Sequence, residues 1–79
     1  MLKRLDQFIV GETGLIKKVE GEGKFRRRLL DMGVTPGASV YLRKKAPFGD
    51  PLEITLRGYE LTLRKEEAKL VLLETEDKK

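Results

Sequence analysis

Basic side chains crowd two short stretches of this chain, and they are where chemistry would have to start. Residues 26 to 37 read RRRLLDMGVTPG, so Arg26, Arg27 and Arg28 run straight into Leu29 and Leu30. Guanidiniums can contact phosphates, and each such contact makes binding depend on salt. On a helix, however, neighbouring residues are about 100° apart, so the arginines fan round the polar faces instead of lining one stripe. Arg27 also has Asp31 at the i,i+4 spacing, which favours an ion pair on a solvated face. The second stretch is RKKAPFGDP, where Arg43, Lys44 and Lys45 lead into a loop holding Phe48. Cations beside an exposed aromatic could hold a nucleic-acid backbone and stack a base. A lone ring is a poor platform, since RNA-binding sheets usually offer two or more. Phe48 packs over the end of the fold, or the loop is a second contact for a protein partner; the residues leave both open.

Acid–base and metal chemistry find little support. The chain has no Cys and no His, which removes the commonest transition-metal ligands and the usual Ser-His and Cys-His catalytic pairs. No nucleophile–base pair can be named, so the expectation is that this is not an enzyme and carries no cofactor. Glu53 and Glu60 lie on strands that pair through a hairpin at Gly58, and two acids together could hold a hard divalent cation weakly. Arg57 and Arg64 are close by in sequence and are the expected neutralisers. The stretch GEGK at residues 21–24 hints at a phosphate loop, but the spacing is too short and Phe25 follows the lysine. A polyproline-binding groove needs rows of exposed aromatics, commonly including Trp, and this chain has no Trp.

The elements that would position these residues follow from periodicity. A chain of 79 residues is expected to form a single domain. Its 17 basic and 13 acidic residues leave a net charge of +4, a field diluted by the spread of acids. No apolar run approaches bilayer length, so the expectation is a cytoplasmic protein with no membrane insertion. After a short N-terminal approach, residues 15–20 read as a first strand. Residues 24–32 read as a short helix with Phe25, Leu29 and Met32 on one face, capped by Gly33 and ended by Pro36. Thr35-Pro36-Gly37-Ala38 fits a type II turn. Next comes ASVYLRKKA, with Val40, Leu42 and Ala46 inward and Ser39, Tyr41, Arg43 and Lys45 outward. LEITLR follows, with Leu52, Ile54 and Leu56 inward, then YELTLR, with Tyr59, Leu61 and Leu63 inward. KEEA makes one helical turn, KLVLLE a last strand, and ETEDKK a frayed end. Five short strands cannot stack as two full sheets, so the expectation is a mainly β, small SH3-like five-stranded barrel. One short helix is inserted after its first strand and a single helical turn precedes its last.

Certain of these pieces, in this order, resemble a known family. Leu30-x-Met32-Gly33 with Pro36-Gly37, Pro47-x-Gly49-Asp50-Pro51, and Arg57-Gly58 with Leu63-Arg64 are similar to the FeoA family of ferrous iron transport accessory proteins. The resemblance runs from about residue 11 to residue 74, the expected domain core. It implies an SH3-like barrel and a cytoplasmic protein working with FeoB, a membrane ferrous-iron transporter that carries a G-protein domain. The same domain type ends some iron- and manganese-dependent repressors. This chain has no room for their other domains, so the resemblance implies the free-standing form.

The expected function is therefore a non-enzymatic accessory subunit that contacts the FeoB-type transporter, peripheral to the inner membrane through that partner. The candidate partner-binding residues are Arg26, Arg27, Leu30, Lys45 and Phe48. Leu30 lies about 100° from Leu29, off the apolar stripe and between the arginines, so it is either part of the core or an anchor rimmed by charge. Glu53 and Glu60 remain weak metal candidates. Homo-oligomerisation stays open. The alternative is a small basic barrel binding RNA or DNA, which the scattered acids and single loop aromatic disfavour.

Overall fold

In the computed structural model, which describes residues 1–75, alternation builds one six-stranded antiparallel sheet. Its strands are β1 (Leu2–Arg4), β2 (Thr13–Val19), β3 (Ser39–Lys45), β4 (Leu52–Leu56), β5 (Tyr59–Leu63) and β6 (Val71–Glu74). They lie in the order β1-β6-β2-β3-β4-β5. Helix α1 (Lys24–Asp31) joins β2 to β3, and the single turn α2 (Lys65–Ala68) precedes β6. This is the mainly β, SH3-like arrangement expected, with one strand more than the five read from the sequence.

The extra strand is β1, in the segment read only as an approach. It pairs with β6 through Leu2↔Glu74 and Arg4↔Leu72. A 3-10 turn over Leu5–Gln7 then drops Leu5 and Phe8 into the core, both fully buried. Three residues of strand carry too little alternation to be read. Glu74 and Thr75, read as the start of a frayed end, are ordered: Glu74 closes β6, and the Thr75 N–H donates to Met1 O at 2.8 Å. The rest of that end, residues 76–79, lies outside the described residues.

Two β-bulges explain where alternation misled. In β2 the register shifts between Ile16 and Lys18, so Ile16 and Val19 both face inward although three residues apart. Leu15, ahead of the shift, alternates with Ile16 and faces out, 43% exposed. In β3 the register shifts between Leu42 and Lys44, and Lys45 comes to lie opposite core residue Leu52. Lys45 therefore turns towards the core side, against the outward expectation, and its ammonium donates to Asp6 O at 3.0 Å and Phe8 O at 2.9 Å.

Lys3 clamps the N-terminal segment to the start of β2. Its Nζ donates to both Glu12 carboxylate oxygens at 2.9 Å, and the Ile9 N–H donates to the same group at 3.0 Å. Partial burial would raise the Glu12 pKa, but the Lys3 hydrogen bonds, the Ile9 N–H and the Lys3 charge outweigh it and hold the carboxyl below its ordinary 4.5. A depressed folded-state pKa adds stability above the unfolded value, and that stability disappears as pH falls through the folded value. Glu12→Gln is accordingly expected to lower the urea midpoint near pH 7 and to narrow the difference between wild type and variant near pH 3. An equal difference at both pH values would count against the clamp.

Candidate functional site

Helix α1 ends where its sequence says it should. With Met32 as C-cap, the Gly33 N–H donates to Leu30 O at 3.0 Å and the Val34 N–H to Leu29 O at 2.9 Å. This is a Schellman motif, and its usual apolar partners, here Val34 and Leu29, are both fully buried. The Thr35–Ala38 turn closes as expected, the Ala38 N–H donating to Thr35 O at 3.1 Å.

The buried arc of α1 differs from the expected stripe. Leu29 is buried and Leu30 and Met32 pack partly against the core, but Phe25 is 46% exposed. Only the C-terminal half of the helix lies on the core, so its first turn projects. Periodicity gives the direction of a face and not how far along the axis that face is covered. Tyr59, expected inward, is 42% exposed because β5 is an edge strand. Its hydroxyl instead donates to Met32 O at the helix end.

These contacts join two of the distant motif pieces. The β4–β5 hairpin turns through Arg57 and Gly58, both with positive φ, 51° and 83°, as a two-residue type I′ turn requires. That conformation aims the Arg57 guanidinium back at the helix end, where Nη2 donates to Thr35 Oγ1 at 2.9 Å and Nε to Gly33 O at 3.4 Å. Met32-Gly33 and Arg57-Gly58 thus form one clasp.

A second clasp runs through α2. Glu67, 1% exposed, accepts the Arg64 N–H on Oε1 at 2.9 Å, capping the turn. Its Oε2 lies 3.3 Å from Arg28 Nη1, an ion pair without hydrogen-bond alignment. On the other side, the Lys65 N–H donates to Asp50 Oδ1 at 3.0 Å. Contacts therefore lead from α1 through α2 to the loop 46–51. An open cleft of about 510 Å³ bordered by Arg28, Asp50, Arg64 and Glu67 lies along that path.

The candidate residues fall into two groups that border separate clefts. Arg26, Arg27 and Leu30 border one shallow cleft of about 420 Å³. Arg26 Nε is committed to Val19 O at 3.1 Å, whereas Arg27 is exposed and, among the described residues, makes no ion pair with Asp31. Lys45 and Phe48 border another cleft, of about 460 Å³. Phe48 does not pack over the fold: it is 91% exposed, the most exposed of the large apolar side chains. Sequence reasoning missed Phe25, Asp6 and Lys65 as surface features, and only Phe25 had a signal, as an aromatic in the first turn of a short helix.

Glu53 and Glu60 are neutralised by Arg43, at 3.4 and 3.2 Å from its Nη1, and not by Arg57 or Arg64 as expected. Paired strands place Arg43 beside both acids, a proximity that sequence distance hides. Among the described residues no group of three or more acidic side chains is disposed to hold a metal. A further hollow, about 720 Å³ beside Ile9, Val10 and Leu15, holds none of the candidates. Its carboxylates, Glu12 and Glu74, are paired already.

The FeoA domain model matches residues 3–75. The chain belongs to the FeoA family. Among relatives, 71 residues are 35% identical to an Fe(2+) transport protein A/Fe(2+) transporter FeoB fusion protein of Porphyromonas gingivalis, covering 90% of this chain and 8% of the fusion. The NMR structure of a FeoA-like protein from Clostridium acetobutylicum superposes with a TM-score of 0.89 at 37% identity, covering 99% of this chain and 91% of that one. FeoA of Stenotrophomonas maltophilia, a procaryotic SH3 domain protein solved with zinc, gives 0.80 at 25% identity over 91% and 89%. FeoA is a family of ferrous iron transport and not of enzymes. No helix among the described residues is long and apolar enough to cross a membrane.

Proposed function

We propose that this chain is an accessory subunit of ferrous iron uptake that binds the cytosolic part of a FeoB-type transporter through the end of the molecule built on α1. The observation that carries the reading is the fusion relative, in which an FeoA segment and an FeoB transporter share one chain. A permanent tether makes their encounter intramolecular, which is useful where the two must meet. The site has the character of a protein contact. Leu30 is partly buried and bordered by Arg26 and Arg27, an apolar centre with a charged rim. Contact acts on transport only by binding one state of the transporter, its G-domain or its pore, more tightly than another.

The nucleic-acid reading loses support for a related reason. Many cations are committed within the molecule: Arg26 to Val19 O, Arg28 to Glu67, Arg43 to two glutamates and Lys45 to two carbonyls. Each of these four would have to share or give up a contact it already makes to join a phosphate-binding track.

The test is affinity capture by the tagged chain from solubilised, nuclease-treated membranes of its source, followed by mass spectrometry. The transporter is expected to be retained, and Leu30→Ser to weaken retention about tenfold or more. Because Leu30 also touches the core, Arg27→Glu, on an exposed residue, is the companion variant and is expected to weaken it several-fold. Capture of the transporter unaffected by both, in folded variants, would remove α1 from the interface. Absence of the transporter would remove the function.

A further inference from the structure

Strand β5 is the last strand of the sheet, and among the described residues it pairs only with β4. The hairpin fixes which way its backbone points. In a two-residue turn the flanking residues, here Leu56 and Tyr59, exchange both of their hydrogen bonds, and bonded and non-bonded pairs alternate from there. Tyr59, Leu61 and Leu63 therefore bond to β4, whereas Glu60 and Thr62 direct N–H and C=O away from the sheet. Neither has a backbone partner on that side among the described residues, and both are exposed.

Free edges are usually blunted by Pro, Lys, a bulge or shortness. The opposite edge of this sheet follows that rule, since β1 has three residues and carries Lys3 and Arg4. Strand β5 has five residues, no Pro, no Lys and an unbroken register with β4. Its α2 end opens on the cleft bordered by Thr62, Arg64 and Arg28. An edge left in this state is a template for another strand.

We infer that β5 pairs antiparallel with β5 of a second copy of this chain, about a two-fold axis at Leu61. Three registers centred on the strand set outward-pointing residues against one another. Glu60 opposite itself puts like charges face to face. Thr62 opposite itself puts Arg64 against Glu60, but the Arg64 backbone is already used. Its N–H donates to Glu67 Oε1 at 2.9 Å, and its O accepts the Glu67 and Ala68 N–H groups at 2.9 Å. Leu61 opposite itself has neither fault. Glu60 then faces Thr62 twice, with four backbone hydrogen bonds, and Arg64 lies diagonal to Glu60 of the second copy, within reach of a long side chain. Arg64 makes no ion pair among the described residues, and Arg43 approaches only Oε1 of Glu60, at 3.2 Å, which leaves Oε2 for the new pair. On the inner face half-buried Leu61 meets its own copy, and Tyr59, 42% exposed, lies opposite Leu63. Charge and backbone are thus self-complementary in one register, as a two-fold contact requires. This pairing does not depend on the transporter contact.

Sedimentation equilibrium of the full chain from about 10 µM to about 1 mM is expected to show monomer passing to dimer, as suits a small interface. Thr62→Pro removes an outward N–H where an edge strand tolerates proline, and is expected to weaken association about tenfold or more while the variant still unfolds cooperatively. Arg64→Glu is expected to weaken it about three- to fivefold, and Glu60→Arg added to Arg64→Glu to restore it. Since the chain has no Cys, single cysteines read the register. Residues facing each other in a non-bonded pair have Cα atoms about 4.5 Å apart, within disulfide range. Leu61→Cys is therefore expected to give a covalent dimer in oxidised glutathione, about tenfold faster than Glu60→Cys or Thr62→Cys. Faster cross-linking through either of those two sets another register and overturns the inference. A chain still monomeric at about 1 mM, or a dimer untouched by Thr62→Pro, overturns it as well.

Discussion

Phe8→Ala is expected to cost about 3–5 kcal/mol of folding stability, the range for emptying a fully buried phenyl site. A domain of this size has roughly 4–12 kcal/mol in total, so the variant would be marginal at 37 °C. The site has little room to collapse. Phe8 is fully buried, and its ring lies so close over Gly14 that a Cβ there would stand 2.7 Å from Cζ. Equilibrium urea unfolding followed by far-UV circular dichroism measures the loss, with Ile9→Ala as the comparison. Ile9 is the next residue along and is 69% exposed, so its truncation is expected to change stability by about 0.5 kcal/mol or less. Similar midpoints for the two variants would mean that the segment before β2 is not part of the core.

Gly33→Ala is expected to cost about 2–3 kcal/mol from two sources. The backbone there has φ of +93°, where a Cβ costs about 1–2 kcal/mol. The added methyl would also stand 2.6 Å from the Tyr59 hydroxyl, displacing it from Met32 O and losing a hydrogen bond of about 1 kcal/mol. The second source makes the prediction specific. Tyr59→Phe alone loses that bond, but in the Gly33→Ala background the bond is already lost and the obstructing oxygen is removed. The double variant is therefore expected to be no less stable than Gly33→Ala, and additive losses would sink the clasp.

Legibility in the sequence followed the range of the interactions. Gly33, the 35–38 turn and the clean alternation of β4 are local, and each was readable because backbone preference and burial agree there. β1 has too few residues to show a period, and Leu5 and Phe8 reach the core from a 3-10 turn that has none. The bulge in β3 changes register by pairing with a neighbour, so Lys45 faces the side its own strand did not suggest. Phe25 shows the same limit on a helix. The surface divided likewise. Leu30 and Phe48 stood out by residue type, but Asp6 and Lys65 come to border one cleft only because α2 and the 3-10 turn flank one loop.

Strand β1 lies beside β6, and the backbone of Met1 meets that of Thr75. Residues 1 and 75 are therefore neighbours at the ends of adjacent strands, β1 at the edge of the sheet and β6 beside it. Such a module can be grafted between two segments of a longer polypeptide with little more than a short loop on either side, since neither graft point has to cross the core. The same geometry makes a circular permutant feasible, with old ends joined by a few glycines and new ones opened in a surface turn. An evolving genome can splice such a unit beside a membrane protein, or release it as a separate chain, without redesigning its interior.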